Sequence, residues 1–244
     1  MTQPVSRHDL LQINLVFSAA LISIQDSKYN PRKINQISEN EEILQEEAEL
    51  YDQNRDVMDL EYNTPQYYST FALCTDCDQQ ILIPNLVAKN LKKLFESLHQ
   101  SSVIFILEFN TPWFFQQNNF AKVKEAYSYL YSLGITSDFN GGFRVDISDL
   151  EVFMEHLTWL SRCNAGMPDL YFSGINTPII ISVDRFANLL CDTYDQSFEI
   201  SFRNMALDAG FGVYPWQEAI KHGFRIPCRE LIVEENSAKL EELH

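Results

Sequence analysis

Positive charge is what this chain lacks most. It has 18 lysines and arginines against 34 aspartates and glutamates, a net charge of −16. A nucleic-acid partner is therefore not expected, because phosphate binding needs a basic surface that releases counterions. An acidic surface suits a basic protein partner instead. Long apolar runs are missing too. The nearest is LLQINLVFSAALISI at residues 10–24, broken by Gln12, Asn14 and Ser18. It is too short and too interrupted to span a bilayer, so no membrane partner is expected. Asp9 lies where a signal peptide would be positive, and no small-x-small cleavage site follows before Asp26. Cysteines number only five, an odd and sparse set that implies buried thiols and a cytoplasmic location rather than a disulfide framework.

Several catalytic signatures are absent as well. The five histidines form no HxH, HxxxH or HExxH, and no serine lies in GxSxG. His156 reads as a structural histidine, and His222 as a helix-end residue favoured by the dipole. Asn140-Gly141-Gly142 is flexible but lacks the lysine and hydroxyl of a P-loop, and Gly210-Phe211-Gly212 carries no more. No cofactor is expected.

What remains is a globular composition, 45% hydrophobic and 21% charged, in a chain of 244 residues. An N-terminal helix is predicted from about His8 to Ile24, with Leu10, Leu11, Leu15, Ala19 and Ile22 on one face. Residues 39–61 then hold ten acidic residues against one arginine, Arg55. Ile43, Leu50 and Val57 recur there every seven residues, so an acidic helix packed on the body through that stripe is predicted, with a mobile linker as the alternative.

Beyond residue 64 the pattern is strand, helix, strand, loosely repeated. QILIP (80–84) reads as a strand, and Asn85 caps a helix carrying Val87, Leu91, Leu94 and Phe95. SVIFILEF (102–109) reads as a buried strand, and residues 118–133 as a helix stopped by Gly134. FRVDI (143–147), a helix opened by a Ser148–Glu151 capping box, and DLYFS (169–173) form the second unit. PIIISV (178–183), a short helix through Phe186, Leu189, Leu190 and Tyr194, and EISFR (199–203) form the third. A helical run near 215–222 and a strand in RIPCRELIVEE follow. The expected fold is α/β or α+β, a mixed sheet of strand–helix–strand units with an N-terminal helical layer. The expected division is residues 1–63, a helical and acidic segment packed on the body, and 64–244, a single α/β body.

Three groups of candidate residues emerge. Glu108, Asp146 and Asp184 lie at strand ends, and in a parallel sheet they would gather at one edge as acid, base or Mg²⁺ ligands. The preferred account is capping or solvation instead, with Asp184 capping a helix that begins at Arg185 and Asp146 preceding the Ser148 cap. Cys74 and Cys77 in CTDC offer half a zinc site or a redox pair. They sit in what reads as a turn between strands, where Asp76 and Asp78 oppose a thiolate. Glu46, Glu47, Glu49 and Asp52, with the aromatics Trp113, Phe114 and Phe115, form a candidate protein-binding set, although the aromatics serve equally as a core plug. The overall expectation leans away from catalysis, towards an acidic soluble module that binds, inhibits or regulates a basic protein. The alternatives are a metal-assisted hydrolase built on the strand-end carboxylates, or an assembly component that forms homo-oligomers.

Overall fold

In the computed structural model, residues 1–28, 41–57, 65–114, 119–164, 167–219 and 221–222 are described, those at 41–43 by backbone alone. Eight strands form one sheet: β1 (Gln3–Val5), β2 (Ser69–Cys74), β3 (Ser102–Leu107), β4 (Gly142–Asp146), β5 (Leu170–Gly174), β6 (Ile179–Val183), β7 (Leu189–Thr193) and β8 (Gly212–Pro215). Their order is β1-β4-β3-β5-β6-β7-β2-β8, and every pairing is antiparallel. The α+β form of the expected fold is thus the one adopted.

Alternation along β3 creates two cores. Val103, Phe105 and Leu107 point to the larger one. It is built with α4 (Ile83–Ser97), α5 (Ala121–Ser132), α6 (Leu150–Cys163) and α7 (Gln196–Ala209). Ile104 and Ile106 point the other way, to Leu10, Leu11, Phe17, Ala20 and Leu21 of α1 (Arg7–Leu11) and α2 (Leu15–Lys28). The sheet is therefore covered on both faces, with the N-terminal helices on one.

Several local expectations are corrected. The N-terminal helix is two helices, because Asn14 caps the second: its Oδ1 accepts the Phe17 N–H at 3.1 Å, while its Nδ2 donates to Gly174 O and Thr177 O. The break rotates α2, so Phe17, Ala20 and Leu21 are buried instead of Leu15, Ala19 and Ile22. QILIP is not a strand. Gln80–Leu82 is a 3-10 turn leading into α4, and Pro84 occupies that helix's first turn, where its missing N–H does no harm. Asn85 is no cap; its Nδ2 donates to Glu155 Oε2 at 3.0 Å and ties α4 to α6. No Ser148 capping box forms, since Asp149 holds the N-cap position and Ser148 Oγ donates to Asp149.

The third unit differs most. PIIISV and residues 189–193 form the β6–β7 hairpin, and EISFR lies inside α7, capped by Asp195 at one end and by Gly210, φ 104°, at the other. Pro215 ends β8, and a short helix α8 (Trp216–Ala219) follows it. The Gly141-Gly142 pair is a packing device, not an anion loop: a Cβ on Gly142 would sit 2.4 Å from Phe105 O, and one on Gly141 2.3 Å from Val5 O. The strand expected in RIPCRELIVEE lies outside the described residues.

Helix α3 (Glu41–Asn54) packs beside α2 and the end of β3. Tyr51 OH donates to Asp26 Oδ1 at 2.6 Å, its ring meets Phe109 edge-on at 6.3 Å, and Asn110 N–H donates to Asn54 O at 2.8 Å. Burial and the Asp26 carboxylate push the Tyr51 phenol up to about 12. The heptad stripe is not the docking face. Leu50 is 57% and Val57 72% exposed, while Leu44, Ala48 and Tyr51 are the half-buried side. The side chain of Ile43 lies outside the described residues.

Candidate functional site

Because the sheet is antiparallel, strand ends alternate between its two edges. β3, β6 and β2 finish at the same edge at which β5, β7 and β8 begin. That edge collects Glu108, Asp169, Asp184, Asn188 and the Cys74–Cys77 loop. Asp146 ends β4 opposite Ser102, the start of β3, and so sits at the far edge. At about 3.3 Å per residue, it stands on the order of 20 Å from Asp184. The expected grouping of Asp146 with Asp184 therefore does not occur; parallel strands would have been needed.

Each of the three carboxylates is already engaged. Asp146 pairs with the Met1 amine at the surface. Asp184 organises the β6–β7 turn, accepting N–H donors from Phe186 at 2.7 Å and Asn188 at 2.9 Å, and the Asn188 Nδ2 at 3.0 Å. This lets Ala187 take a positive φ of 62° in a turn without glycine. Burial pushes the Asp184 carboxyl up, and those hydrogen bonds only partly offset it. It caps a hairpin rather than the helix expected to begin at Arg185.

Glu108 is the most enclosed of the three. Its carboxylate meets Lys28 Nζ at 2.5 Å and the Tyr171 hydroxyl at 3.5 Å, while Lys28 also reaches Asp169 Oδ2 at 2.7 Å. Burial raises the Glu108 carboxyl despite Lys28, and drives the Tyr171 phenol far up. Beside this group a cleft of 370 Å³ is lined by Ser161, Asp169, Tyr171, Ser182, Asp184 and Arg185, among others. Lys28, Asp169 and Tyr171 carried no motif in the sequence; only the sheet register brings them together.

Cys74 and Cys77 are separate free thiols. Cys74 ends β2 fully buried, and burial together with the Asp184 and Asp76 carboxylates pushes its thiol up to about 12, the opposite of an activated nucleophile. The loop leads from a strand into a helical turn, not between two strands. Among the described residues no three His, Cys, Asp or Glu side chains converge as a metal site. Cys163 is disulfide-bonded, so the chain is not all thiol. In the same loop, Asp76 accepts the Tyr214 hydroxyl at 3.2 Å and pairs with His222 Nδ1 at 2.8 Å. The His222 ring stacks on Tyr214 at 3.8 Å. His156 is structural, stacked on Tyr129 at 4.5 Å, with burial lowering its basicity.

The candidate binding residues divide sharply. Trp113 is fully buried, its Nε1–H donating to Gly141 O at 3.0 Å and its ring edge-on to Phe143, so it is core and offers no surface to a partner. Phe114 is half-buried and stacks on Tyr131 at 4.1 Å. Phe115 lies outside the described residues. Tyr67 and Tyr68, 54% and 45% exposed, stand at the surface. Glu46, Glu47, Glu49 and Asp52 all face solvent on α3, around the exposed Leu50. Asp52 pairs with Arg55 at 3.2 Å and Glu49 accepts Gln45 Nε2 at 3.0 Å; Glu46 and Glu47 have no cation beside them among the described residues. No helix among the described residues is long and apolar enough to cross a membrane. No family model, no curated protein and no solved structure matches this chain.

Proposed function

We propose that the chain is a protein-binding module that engages a basic partner through the outer side of α3. The observation that carries this reading is the way α3 is held. Tyr51 and, just beyond the helix, Asp56 fasten one side to the body. The other side presents Glu46, Glu47, Glu49 and Asp52 around Leu50, with Val57 beyond the helix end. Exposed aliphatic side chains ringed by carboxylates, of which Glu46 and Glu47 have no cation beside them among the described residues, suit a cationic, partly apolar face: the charge steers the encounter and the leucine anchors it. A module of this kind would serve as a regulator or inhibitor of a basic protein.

The test is capture on the immobilised full chain, followed by direct titration of the purified partner at low and physiological salt. The partner carries a cationic face, and its binding weakens with salt. Binding weakens about tenfold when Glu46, Glu47 and Glu49 become Gln and Asp52 becomes Asn. A partner whose affinity ignores both salt and these four substitutions overturns the proposal.

A further inference from the structure

Asp192 is the fourth of the five residues of β7, an interior strand, and lies between Ile180 of β6 and Thr70 of β2, on the sheet face that α1 and α2 share. A central strand position of this kind normally holds a β-branched or aromatic side chain. Here a half-buried carboxylate takes it. Its Oδ1 accepts the Thr70 hydroxyl, burial pushes its carboxyl up, and among the described residues no lysine, arginine or histidine pairs with it. Glu108, Glu199 and Asp56 each have a cation alongside, and Asp184, also pushed up by burial, is held by three N–H donors, whereas Asp192 accepts from the Thr70 hydroxyl.

Two tyrosines lie near the same spot. Tyr194 follows Asp192 by two residues and so shares its face, and Tyr67 leads into β2. Their rings stand 6.3 Å apart at 80°. Tyr67 OH lies 2.6 Å from Thr70 Oγ1. Thr70 has one hydroxyl proton, which goes to Asp192, so Tyr67 donates to Thr70. The chain Tyr67→Thr70→Asp192 holds the Tyr67 hydroxyl two hydrogen bonds away from the carboxylate. Tyr67 is 54% exposed, so the place is open to solvent on that side.

The geometry points to a binding site for an alkylammonium ion, with the Tyr67 and Tyr194 rings as two walls and Asp192 as the counter-charge. Perpendicular aromatic faces attract a cation through their quadrupoles, and a nearby carboxylate adds the ionic contact. Thr70 already occupies one Asp192 oxygen. The remaining one suits the point charge of an ammonium better than the two-pronged guanidinium of arginine. A single carboxylate also falls well short of the six to eight oxygens a calcium ion takes. The site is on β7 and β2, shares no residue with α3, and does not rest on the function proposed above.

The test uses the full chain with ¹³C-labelled tyrosine rings, the signals assigned through Tyr67→Phe and Tyr194→Phe. n-Butylammonium, tetramethylammonium, n-butylguanidinium and neutral n-butanol are titrated in turn. The two ammonium ions shift the Tyr67 and Tyr194 signals saturably, the guanidinium binds more weakly, and butanol leaves them in place. Asp192→Asn keeps an acceptor for Thr70 and weakens ammonium binding about tenfold, while Tyr67→Leu, at an exposed position, weakens it as well. The four-site α3 variant binds ammonium as the unmodified chain does. Tyrosine signals that ignore ammonium, that respond equally to butanol, or that titrate unchanged in Asp192→Asn overturn the proposal.

Discussion

Arg7 and Asp56 lie side by side in the interior, Nε on Oδ1 at 2.7 Å and Nη2 on Oδ2 at 2.6 Å, with both side chains 7% exposed. The remaining guanidinium protons go to the carbonyls of Leu107, Glu108 and Phe109, each at 3.0 Å, where β3 ends. Gln25 completes the knot, donating to Asp56 Oδ2 at 2.8 Å and accepting the Asp56 N–H at 3.0 Å. The three side chains together thus join α1, α2, the chain beyond α3 and the central sheet.

Removing either partner leaves a buried charge alone. Arg7→Ala and Asp56→Ala are each expected to lower stability by about 3–5 kcal/mol in urea unfolding. Arg7→Lys recovers only part of this, because an ammonium cannot match the forked geometry. A loss below about 1 kcal/mol for both alanine variants would show the pair to be dispensable.

Asp192 and Glu199 should answer pH in opposite senses. Asp192 has a raised folded pKa, so its contribution to stability is full below the unfolded value and is lost as pH rises through the folded one. Asp192→Asn is therefore expected to be more stable than the parent at pH 7, by about 0.5–2 kcal/mol, with the difference closing in acid. For Glu199, burial alone would raise the carboxyl. Hydrogen bonds from Ser69, Thr193 and Arg203 together outweigh it and hold the group below its ordinary range. Its contribution is present above the unfolded pKa and disappears as pH falls through the folded one. Glu199→Gln is expected to cost about 1.5–3 kcal/mol at pH 7 and progressively less in acid. Thermal melts from pH 3 to pH 8 check both; a common sign for the two variants would contradict the assignment.

The two cysteines of CTDC should differ in reactivity. Cys74 is fully buried with its thiol pushed up to about 12, whereas Cys77 is half-exposed. Brief iodoacetamide treatment of the native chain at pH 8, read by peptide mass spectrometry, is expected to label Cys77 and spare Cys74 until denaturant is added. Equal labelling under native conditions would refute the burial argument.

The buried strands SVIFILEF and DLYFS, the helix from Leu150 and the stop at Gly134 were legible because composition and period agreed there. EISFR was not: its alternation imitates a strand, yet Phe198, Phe202 and Ala206 also recur every four residues, and Asp195 accepts the Phe198 N–H as a cap. Pro84 was the missed signal in QILIP, since proline fits a first helical turn better than a paired strand. The acidic outer side of α3 could be read from charge alone. The clustering of Glu108 with Lys28 and Asp169, and of Asp192 with Tyr67, could not. Each depends on which strands become neighbours, and single-chain periodicity carries no such information.

The strand order also shapes how the chain is made. β2 bonds only to β7 and β8, so Ser69 waits for Thr193 and Cys74 for Gly212. β1 likewise waits for the stretch around Gly142. During synthesis these early strands leave the ribosome with no neighbour to pair with, and the apolar residues of β2 stay open until most of the chain has followed. Nascent chains of this protein are therefore expected to gain more from the shelter of chaperones than finished molecules do.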